Sequence, residues 1–158
     1  MLSYLLVFIQ ENMFISAVVV FFVARWAMSR NQLPIPEVEG SRVVKITNRN
    51  DMIEIFSKAK ENNQVIVCDF FANWCPPCRV AAPEFAKMSI EYENIIFAKI
   101  DVDEARSVSS QYGVRSLPTF KIFINESEVA SLTGWRPAEL KSLLIQHQSK
   151  SLSNKRAN

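Results

Sequence analysis

Cysteine, histidine and glycine are scarce in this chain, and its charge is nearly balanced. The 158 residues include three cysteines, one histidine and three glycines, and the net charge is +2. An odd, low cysteine count does not fit a small secreted scaffold that is held together by several disulfides. The weak positive charge argues against the electrostatic footprint of a nucleic-acid-binding protein. No internal repeat is visible, and the length allows one domain with extensions.

The N-terminal 28 residues are the most apolar stretch of the chain. They are interrupted only by two serines, the polar triplet Gln10–Asn12 and Arg25. As one helix, Leu2–Met28 would reach roughly 40 Å at ~1.5 Å per residue, whereas a bilayer core needs about 30 Å. We therefore predict a single-pass transmembrane anchor at 1–28, followed by a proline-stiffened linker at 29–41.

Three other interpretations of this run remain open: a cleaved signal peptide, a mitochondrial presequence and a buried soluble helix. A signal peptide normally begins with a basic segment, and no basic residue precedes Arg25. A presequence is Arg-rich and amphipathic, unlike this uniformly apolar run. Arg25, near the C-terminal end of the run, and Arg30 and Arg42 beyond it lie on the C-terminal side, so the positive-inside rule predicts that the C-terminal part faces the cytosol. The endoplasmic reticulum and the mitochondrial outer membrane are not distinguished.

Beyond the linker, predicted strands alternate with helices and end in a hairpin. We expect strand, helix, strand, helix, strand and helix at 42–47, 51–62, 65–71, 75–92, 95–102 and 105–112. A hairpin at 118–123 and 128–132 and a helix from Pro137 complete the pattern. Asp51 is the expected N-cap of the first helix. This order predicts an α/β fold with a mixed sheet flanked by helices, and a flexible polar tail at 149–158.

The sequence CPPC at Cys75–Cys78 lies between a buried apolar strand and a helical pattern. That order places Cys75 at a helix N-terminus, where the helix dipole and free N–H groups favour the thiolate. Cys78 lies one turn further on and could resolve a mixed disulfide formed by Cys75. Zinc is the competing interpretation, but its other candidate ligands, Cys68 and His147, are far apart in sequence. The pattern indicates a redox-active dithiol, with no metal and no further cofactor.

Several segments around this motif resemble the thioredoxin family in order and spacing. The resemblance runs from about Val43 to about His147. The matching pieces are Asp69–Cys75, Pro83, Ala98–Asp103, Val114–Phe120 and Gly134. A Trp-Cys-Pro-Pro-Cys motif with a Pro-Thr pair of this kind downstream is a specific signal. The resemblance implies a thioredoxin fold at 42–148 and thiol-disulfide oxidoreductase activity.

The resemblance also implies roles for residues that spacing alone leaves ambiguous. Asp69 would be buried behind the dithiol and exchange a proton with Cys78, and Lys99 would be its partner. Spacing alone favours a solvent-facing strand-end position for Asp69, and for Lys99 it is equally compatible with a solvent-facing strand position. Pro118 would be cis and lie against the dithiol, so that the backbone of Leu117 pairs with an extended substrate segment.

The remaining assignments concern the rim of the site and its opposite side. Trp74 would cover the dithiol, and Gly134 would lie near the substrate groove. Trp135 would line that groove, although it could instead be an ordinary hydrophobic loop residue. Cys68 precedes Asp69 in the strand, so its side chain should point away from the dithiol.

Three features depart from the family pattern, and one of them, Phe71 where many members have tryptophan, is expected to be benign. Pro76 replaces the usual glycine between the cysteines, which stiffens the loop and removes one N–H that could solvate the thiolate. The turn Asn125–Ser127 lacks the usual glycine and looks one residue longer, and Asn125 could adopt the positive φ required there. The same triplet is an N-x-S glycosylation sequon, which only lumenal exposure would use.

These features predict a membrane-anchored oxidoreductase that reduces protein disulfides and is recycled by a reductase or a low-molecular-weight dithiol. No nucleic-acid partner is expected. Two alternatives remain. One is a lumenal disulfide isomerase or oxidase, since one fold and motif serve reduction potentials from about −270 to about −180 mV. The other is a non-enzymatic, membrane-tethered holdase or docking module that uses the groove around Trp74, Pro118 and Trp135.

Overall fold

The computed structural model describes residues 15, 17–25, 35 and 37–157. The chain separates into two compact units, Met1–Pro34 and Ile35–Asn158. The strands and helices of the second unit contain the sequence motifs described above, and the first unit is described only in part.

In the first unit, residues 17–25 are helical, and their apolar side chains, such as Phe21, are exposed. Among the described residues, no helix is both long and apolar enough to cross a membrane. Most of the anchor predicted at 1–28 lies outside the described residues, and the anchor stays a prediction.

A five-stranded mixed sheet forms the centre of the second unit. Its strands are β1 Val44–Ile46, β2 Val65–Phe71, β3 Ile95–Asp101, β4 Thr119–Ile124 and β5 Ser127–Thr133. Across the sheet the order is β1-β3-β2-β4-β5, with β1, β3 and β2 parallel and β4 and β5 each antiparallel to the preceding neighbour. The helices are α1 Arg49–Asn62, α2 Pro76–Glu91, α3 Arg106–Gln111 and α4 Pro137–Ala157. This arrangement confirms the predicted sheet flanked by helices.

The central strand β2 is buried at all seven residues. Because side chains alternate along a strand, β2 contributes to two separate cores. Cys68 and Phe70 pack in the core that includes α1 and α3. Val65 and Val67 pack in the core that includes α2 and α4. A strand covered on both faces reads as a continuous apolar run, which is why the sequence predicted its bounds correctly.

The first helix begins earlier than predicted. Asn48, not Asp51, is its N-cap: the Asn48 Oδ1 accepts hydrogen bonds from the backbone N–H groups of Asn50 and Asp51, at 2.8 and 3.2 Å. The Asp51 carboxylate accepts in return from the Asn48 N–H at 3.2 Å. The prediction was wrong because Asp51 serves as the second half of a capping box, three residues into the helix.

The domain boundary on the N-terminal side also differs from the prediction. The predicted linker at 29–41 is described at Ile35 and from residue 37 onward, and this part belongs to the second unit. The Ile35 N–H donates to Asn73 Oδ1 at 3.4 Å, and the Arg42 N–H donates to Ser89 Oγ at 3.0 Å. The packed domain therefore begins at Ile35.

The C-terminal helix is longer than predicted. The flexible tail expected from Ser149 is instead helical as far as Ala157. Ser151 is buried, and its hydroxyl donates to the Asn63 carbonyl oxygen at 2.8 Å. A tertiary contact to the end of α1 thus supports a polar segment that its composition alone would leave frayed.

The hairpin turn between β4 and β5 has two residues, one fewer than expected. Asn125 and Glu126 both have positive φ, 48° and 67°, and Ser127 already pairs with Ile124. The extra length lies in the strands, where the register shifts between Ile122 and Phe123. A two-residue turn with two positive φ angles favours glycine at its second position, and this chain has Glu126 there.

Replacing Glu126 with glycine should therefore stabilise the protein by about 0.5–1 kcal/mol. The left-handed conformation costs a residue with a side chain roughly 1–2 kcal/mol, and glycine avoids this cost. Glycine also loses more chain entropy on folding, which offsets part of the gain. The free energy of unfolding from denaturant titration measures the effect. Ser127→Gly, one residue later and inside β5, should be neutral or destabilising. A Glu126→Gly protein no more stable than wild type would contradict strain in this turn.

Candidate active site

Cys75 is the N-cap of α2. The sequence predicted that this residue lies at a helix N-terminus. Its Sγ accepts a hydrogen bond from the Cys78 backbone N–H at 3.3 Å. Pro76 and Pro77 occupy the first two helical positions. An N–H at these positions has no acceptor within the helix, so its absence costs no hydrogen bond, and the fixed φ of proline suits the helix. The N–H that Pro76 lacks is thus not the one that reaches the Cys75 sulfur.

The two cysteines form a disulfide with their Cα atoms 5.3 Å apart. Cys75 is 4% exposed and Cys78 is fully buried. When this bond is reduced, the Cys75 sulfur remains at the positive end of the α2 dipole beside the Cys78 N–H. Both favour the thiolate, which is the nucleophile of disulfide exchange.

Leu117 lies against this pair, and Pro118 follows it in the chain. Their peptide bond is cis, as predicted. Leu117 packs on the small apolar cluster of Phe71, Ala72, Cys75 and Cys78. The Gly134 N–H donates to the Pro118 carbonyl oxygen at 2.8 Å, and Gly134 has a φ of 82° that suits glycine. The structure thus places Leu117 on the disulfide cluster and links Gly134 to the adjoining Pro118, while the roles of Pro118 and Gly134 in substrate binding stay predictions.

The two predicted tryptophans have different surroundings. Trp74 is 48% exposed next to Cys75, and its indole N–H donates to Asp103 Oδ2 at 2.7 Å. Trp135 instead packs against the core beneath α2 and α4, with its ring 5.5 Å from that of Phe120. Its packing resembles that of a hydrophobic loop residue, the alternative that the sequence left open, while its part in substrate binding stays a prediction.

Asp69 is buried in the middle of β2. Its neighbours in the alternation, Val67 and Phe71, pack on the side of the sheet that α2 covers, with Phe71 against Cys75 and Cys78. Burial raises the pKa of Asp69 to about 8, and the Lys99 charge offsets only part of that rise. Among the described residues, Oδ1 of Asp69 has no hydrogen-bond partner. This buried acid can hold or release a proton near neutral pH.

Lys99 lies beside Asp69 but bonds elsewhere. The two residues are register partners on the parallel strands β2 and β3, so their side chains are on the same face. The Lys99 ammonium donates to Glu37 Oε1 at 2.9 Å. The predicted partnership with Asp69 is therefore an interaction through charge, and the direct partner, Glu37, was not predicted.

Three further polar residues were missed by sequence reasoning. The Asn73 side-chain amide donates to Asp101 Oδ2 at 2.9 Å, and the Asp103 N–H donates to Asp101 Oδ1 at 2.9 Å. Burial is the main cause that raises the pKa of Asp101. The signal was available, because β2 and β3 are parallel and the residues that follow their carboxyl ends must meet at one edge of the sheet.

Cys68 lies in the other core and is a free, buried thiol, as predicted. Burial raises its pKa strongly, so it stays a thiol. Within the part of the chain that the structure describes, no group of three or more His, Cys, Asp or Glu side chains is placed to hold a metal ion.

A sequence model of the family named Thioredoxin matches residues 43–146. The chain belongs to the thioredoxin family. Thioredoxin H4 of Arabidopsis thaliana is 45% identical over 92 residues, which are 57% of this chain and 76% of that protein. A solved thioredoxin from Nicotiana alata is 35% identical, covers 72% of this chain and 98% of its own, and superposes with a TM-score of 0.67. Thioredoxin-family membership implies thiol-disulfide oxidoreductase chemistry, and this chain contains a Cys75–Cys78 disulfide.

One relative shares only a segment with this chain. A peptide-N(4)-(N-acetyl-beta-glucosaminyl)asparagine amidase from Caenorhabditis briggsae is 35% identical over 115 residues. Those residues are 73% of this chain but 19% of that protein. The similarity therefore concerns a thioredoxin-like part of a much longer protein.

Asp69→Asn should stabilise the oxidised protein, and more so as the pH rises. Folding raises the pKa of Asp69, so the protonated carboxyl stabilises the folded wild type relative to the unfolded chain. This contribution to the free energy of unfolding is lost as the pH rises from about 4 to about 8. Asparagine does not ionise, so the difference in unfolding free energy between variant and wild type should grow by roughly 2–4 kcal/mol from pH 5 to pH 8.5. Denaturant unfolding with the disulfide intact measures it.

The matched control is Glu54→Gln, which neutralises an exposed carboxylate on α1. Its pH profile should follow that of the wild type. If the free energy of unfolding of Asp69→Asn changes with pH in the same way as that of the wild type across this range, Asp69 does not have a raised pKa.

Proposed function

We propose that this protein is a membrane-anchored thioredoxin that reduces disulfides of cytosolic proteins. One observation supports the reaction above all: a disulfide-forming pair at a helix N-terminus, with Cys75 as N-cap, packs with Leu117 of the cis Leu117–Pro118 peptide and with Phe71. Phe71 is on the same face of β2 as Asp69. The anchor at 1–28 and the basic residues after it support the membrane attachment and the orientation.

In the proposed reaction, the Cys75 thiolate attacks one sulfur of a target disulfide. A mixed disulfide forms, and the first target thiolate leaves. Cys78 loses its proton to Asp69 and attacks the Cys75 sulfur, which forms the Cys75–Cys78 disulfide and releases the second target thiolate. Two electrons pass to the target. A reductase or a low-molecular-weight dithiol returns two electrons to the protein, and neither a metal nor another cofactor takes part.

The substrate would bind beside the disulfide on the surface that Trp74, Leu117, Pro118 and Gly134 form. Trp74 offers an exposed ring next to Cys75, and its hydrogen bond to Asp103 holds that ring in place. An extended target segment could add its backbone next to Leu117, where the cis peptide turns the chain. Trp135 would support this surface from the core side through Phe120.

Replacing Cys78 with serine should trap the mixed disulfide, because the attack by Cys75 remains and the resolving sulfur is gone. The full chain is reduced, mixed with a disulfide-bonded test protein such as insulin, quenched with acid and examined by mass spectrometry. We expect an adduct with Cys78→Ser, none with Cys75→Ser, and wild-type turnover with Cys68→Ala, which alters a buried thiol in the other core. Client binding and function that are retained in the Cys75→Ser/Cys78→Ser double variant would favour the non-enzymatic docking module.

The orientation can be tested by protease protection in sealed membrane vesicles, with an antibody against the C-terminus. We expect digestion of the domain without detergent. The exposed turn residue Asn125 gives a second readout, because its sequon is used only in the lumen. Protection, together with glycosylation that Asn125→Gln abolishes, would make the lumenal oxidase or isomerase the better assignment. Release of the intact domain into the soluble fraction would exclude an anchor at 1–28.

A further inference from the structure

We propose that Glu37 is a positioning residue: it holds the Lys99 ammonium and so prevents that charge from pairing with the buried Asp69 carboxyl behind the dithiol. The inference deepens the function proposed above, and its relevance to disulfide exchange rests on that function. It concerns a residue from the segment that the sequence predicted to be a linker.

The strand register places three charged residues in a row. Lys99 on β3 pairs in register with Asp69 on β2 and with Lys45 on β1. Register partners on neighbouring parallel strands point to the same face of the sheet. A carboxyl and two ammonium groups therefore lie side by side, and Lys99 is between the other two.

Each lysine of the row bonds to a carboxylate other than Asp69. The Lys99 Nζ lies 2.9 Å from Glu37 Oε1, and the Lys45 Nζ lies 2.8 Å from Glu104 Oε2. Asp69 Oδ1 has no hydrogen-bond partner among the residues that the structure describes. Glu104 forms its ion pair with Lys45, and Glu37 forms its own with Lys99. Glu37 is therefore the carboxylate that determines where the Lys99 ammonium lies.

The segment before β1 is held at points on both sides of Glu37. Ile35 packs on the cluster that contains Cys75 and Cys78, and its N–H donates to Asn73 Oδ1. On the other side, the Ser41 N–H donates to the Val38 carbonyl oxygen at 3.0 Å. Glu37 is thus placed over Lys99 by a packed backbone, although its own side chain is 81% exposed.

Within the part of the chain that the structure describes, Lys99 is the charged side chain that acts on Asp69. On β4 its register partner is Phe120, which is apolar. From α2, Cys75 and Cys78 are joined in a disulfide and do not titrate in the oxidised protein. Lys99 is the charge that lowers the pKa of Asp69 against the larger effect of burial. The distance of its ammonium from Asp69 therefore affects how readily that acid ionises.

The test is a side-chain carboxyl ¹³C NMR titration of Asp69 in the oxidised full chain, in detergent micelles at low salt. Glu37→Gln should lower the Asp69 midpoint by about 0.3 pH unit, because the released ammonium can approach the carboxylate. Glu39→Gln, which neutralises an exposed carboxylate two residues away, should leave the midpoint unchanged. Lys99→Met should raise it.

The double variant Glu37→Gln/Lys99→Met decides whether Glu37 acts through Lys99. If it does, the double variant titrates like Lys99→Met alone. A further fall in the double variant would mean that Glu37 acts directly through its own field, and no shift in Glu37→Gln would mean that it does not position Lys99; either result overturns the proposal. The titration needs no enzymatic turnover, so a protein that shows these shifts but reduces no disulfide would refute the proposed function and leave this inference standing.

Discussion

The register of β2 between β3 and β4 is the constraint on which the site depends. A shift of one residue would move Asp69 to the other face and would also remove Val67 and Phe71 from their core. The apolar residues of the strand thus fix the position of the one carboxyl within it. Burying that carboxyl is costly when it is charged, so its pKa is about 8. The stability of the core is what holds an acid that titrates near neutrality on the face of β2 from which Phe71 packs on Cys75 and Cys78.

The end of the same strand positions the sulfur chemistry. β2 ends at Phe71, and α2 starts five residues later with Cys75 as its cap and two prolines in its first turn. Because β3 runs parallel to β2, its carboxyl end brings Asp101 and Asp103 to the same edge. Asp101 accepts from Asn73 and Asp103 accepts from Trp74, so both residues before Cys75 are held by side-chain hydrogen bonds.

Local patterns explain what the sequence could predict. β2 is a continuous apolar run, the CPPC motif precedes a helical pattern, and the matching segments were specific enough to indicate the family and the cis peptide at Pro118. Two incorrect predictions concern the ends of helices, which tertiary contacts determine. Asn48 and Asp51 are both plausible caps, and the geometry of the chain after β1 selects Asn48. Ser151 becomes part of α4 through its bond to Asn63, at the far end of another helix.

Glu37 shows the same limit within the site. Its segment has the composition of a linker, and nothing near it in sequence indicates a partner 62 residues away. The register of β1, β3 and β2 places Lys99 beneath that segment, and the packing of Ile35 on the disulfide cluster brings Glu37 to it. Lys99 was correctly singled out by the family resemblance, whereas its direct partner depends on a part of the chain that lies outside the family match.

The lifetime of the mixed disulfide with a target protein tests the central claim, that Asp69 takes the proton of Cys78, most directly. Reduced wild type and Asp69→Asn would be mixed with the same disulfide substrate at pH 7 and quenched with acid at successive times. We predict that the adduct through Cys75 forms at similar rates in both proteins and persists at least about tenfold longer in Asp69→Asn, since a positioned base accelerates such a step by 10²–10⁴. Equal lifetimes would show that Cys78 loses its proton without Asp69.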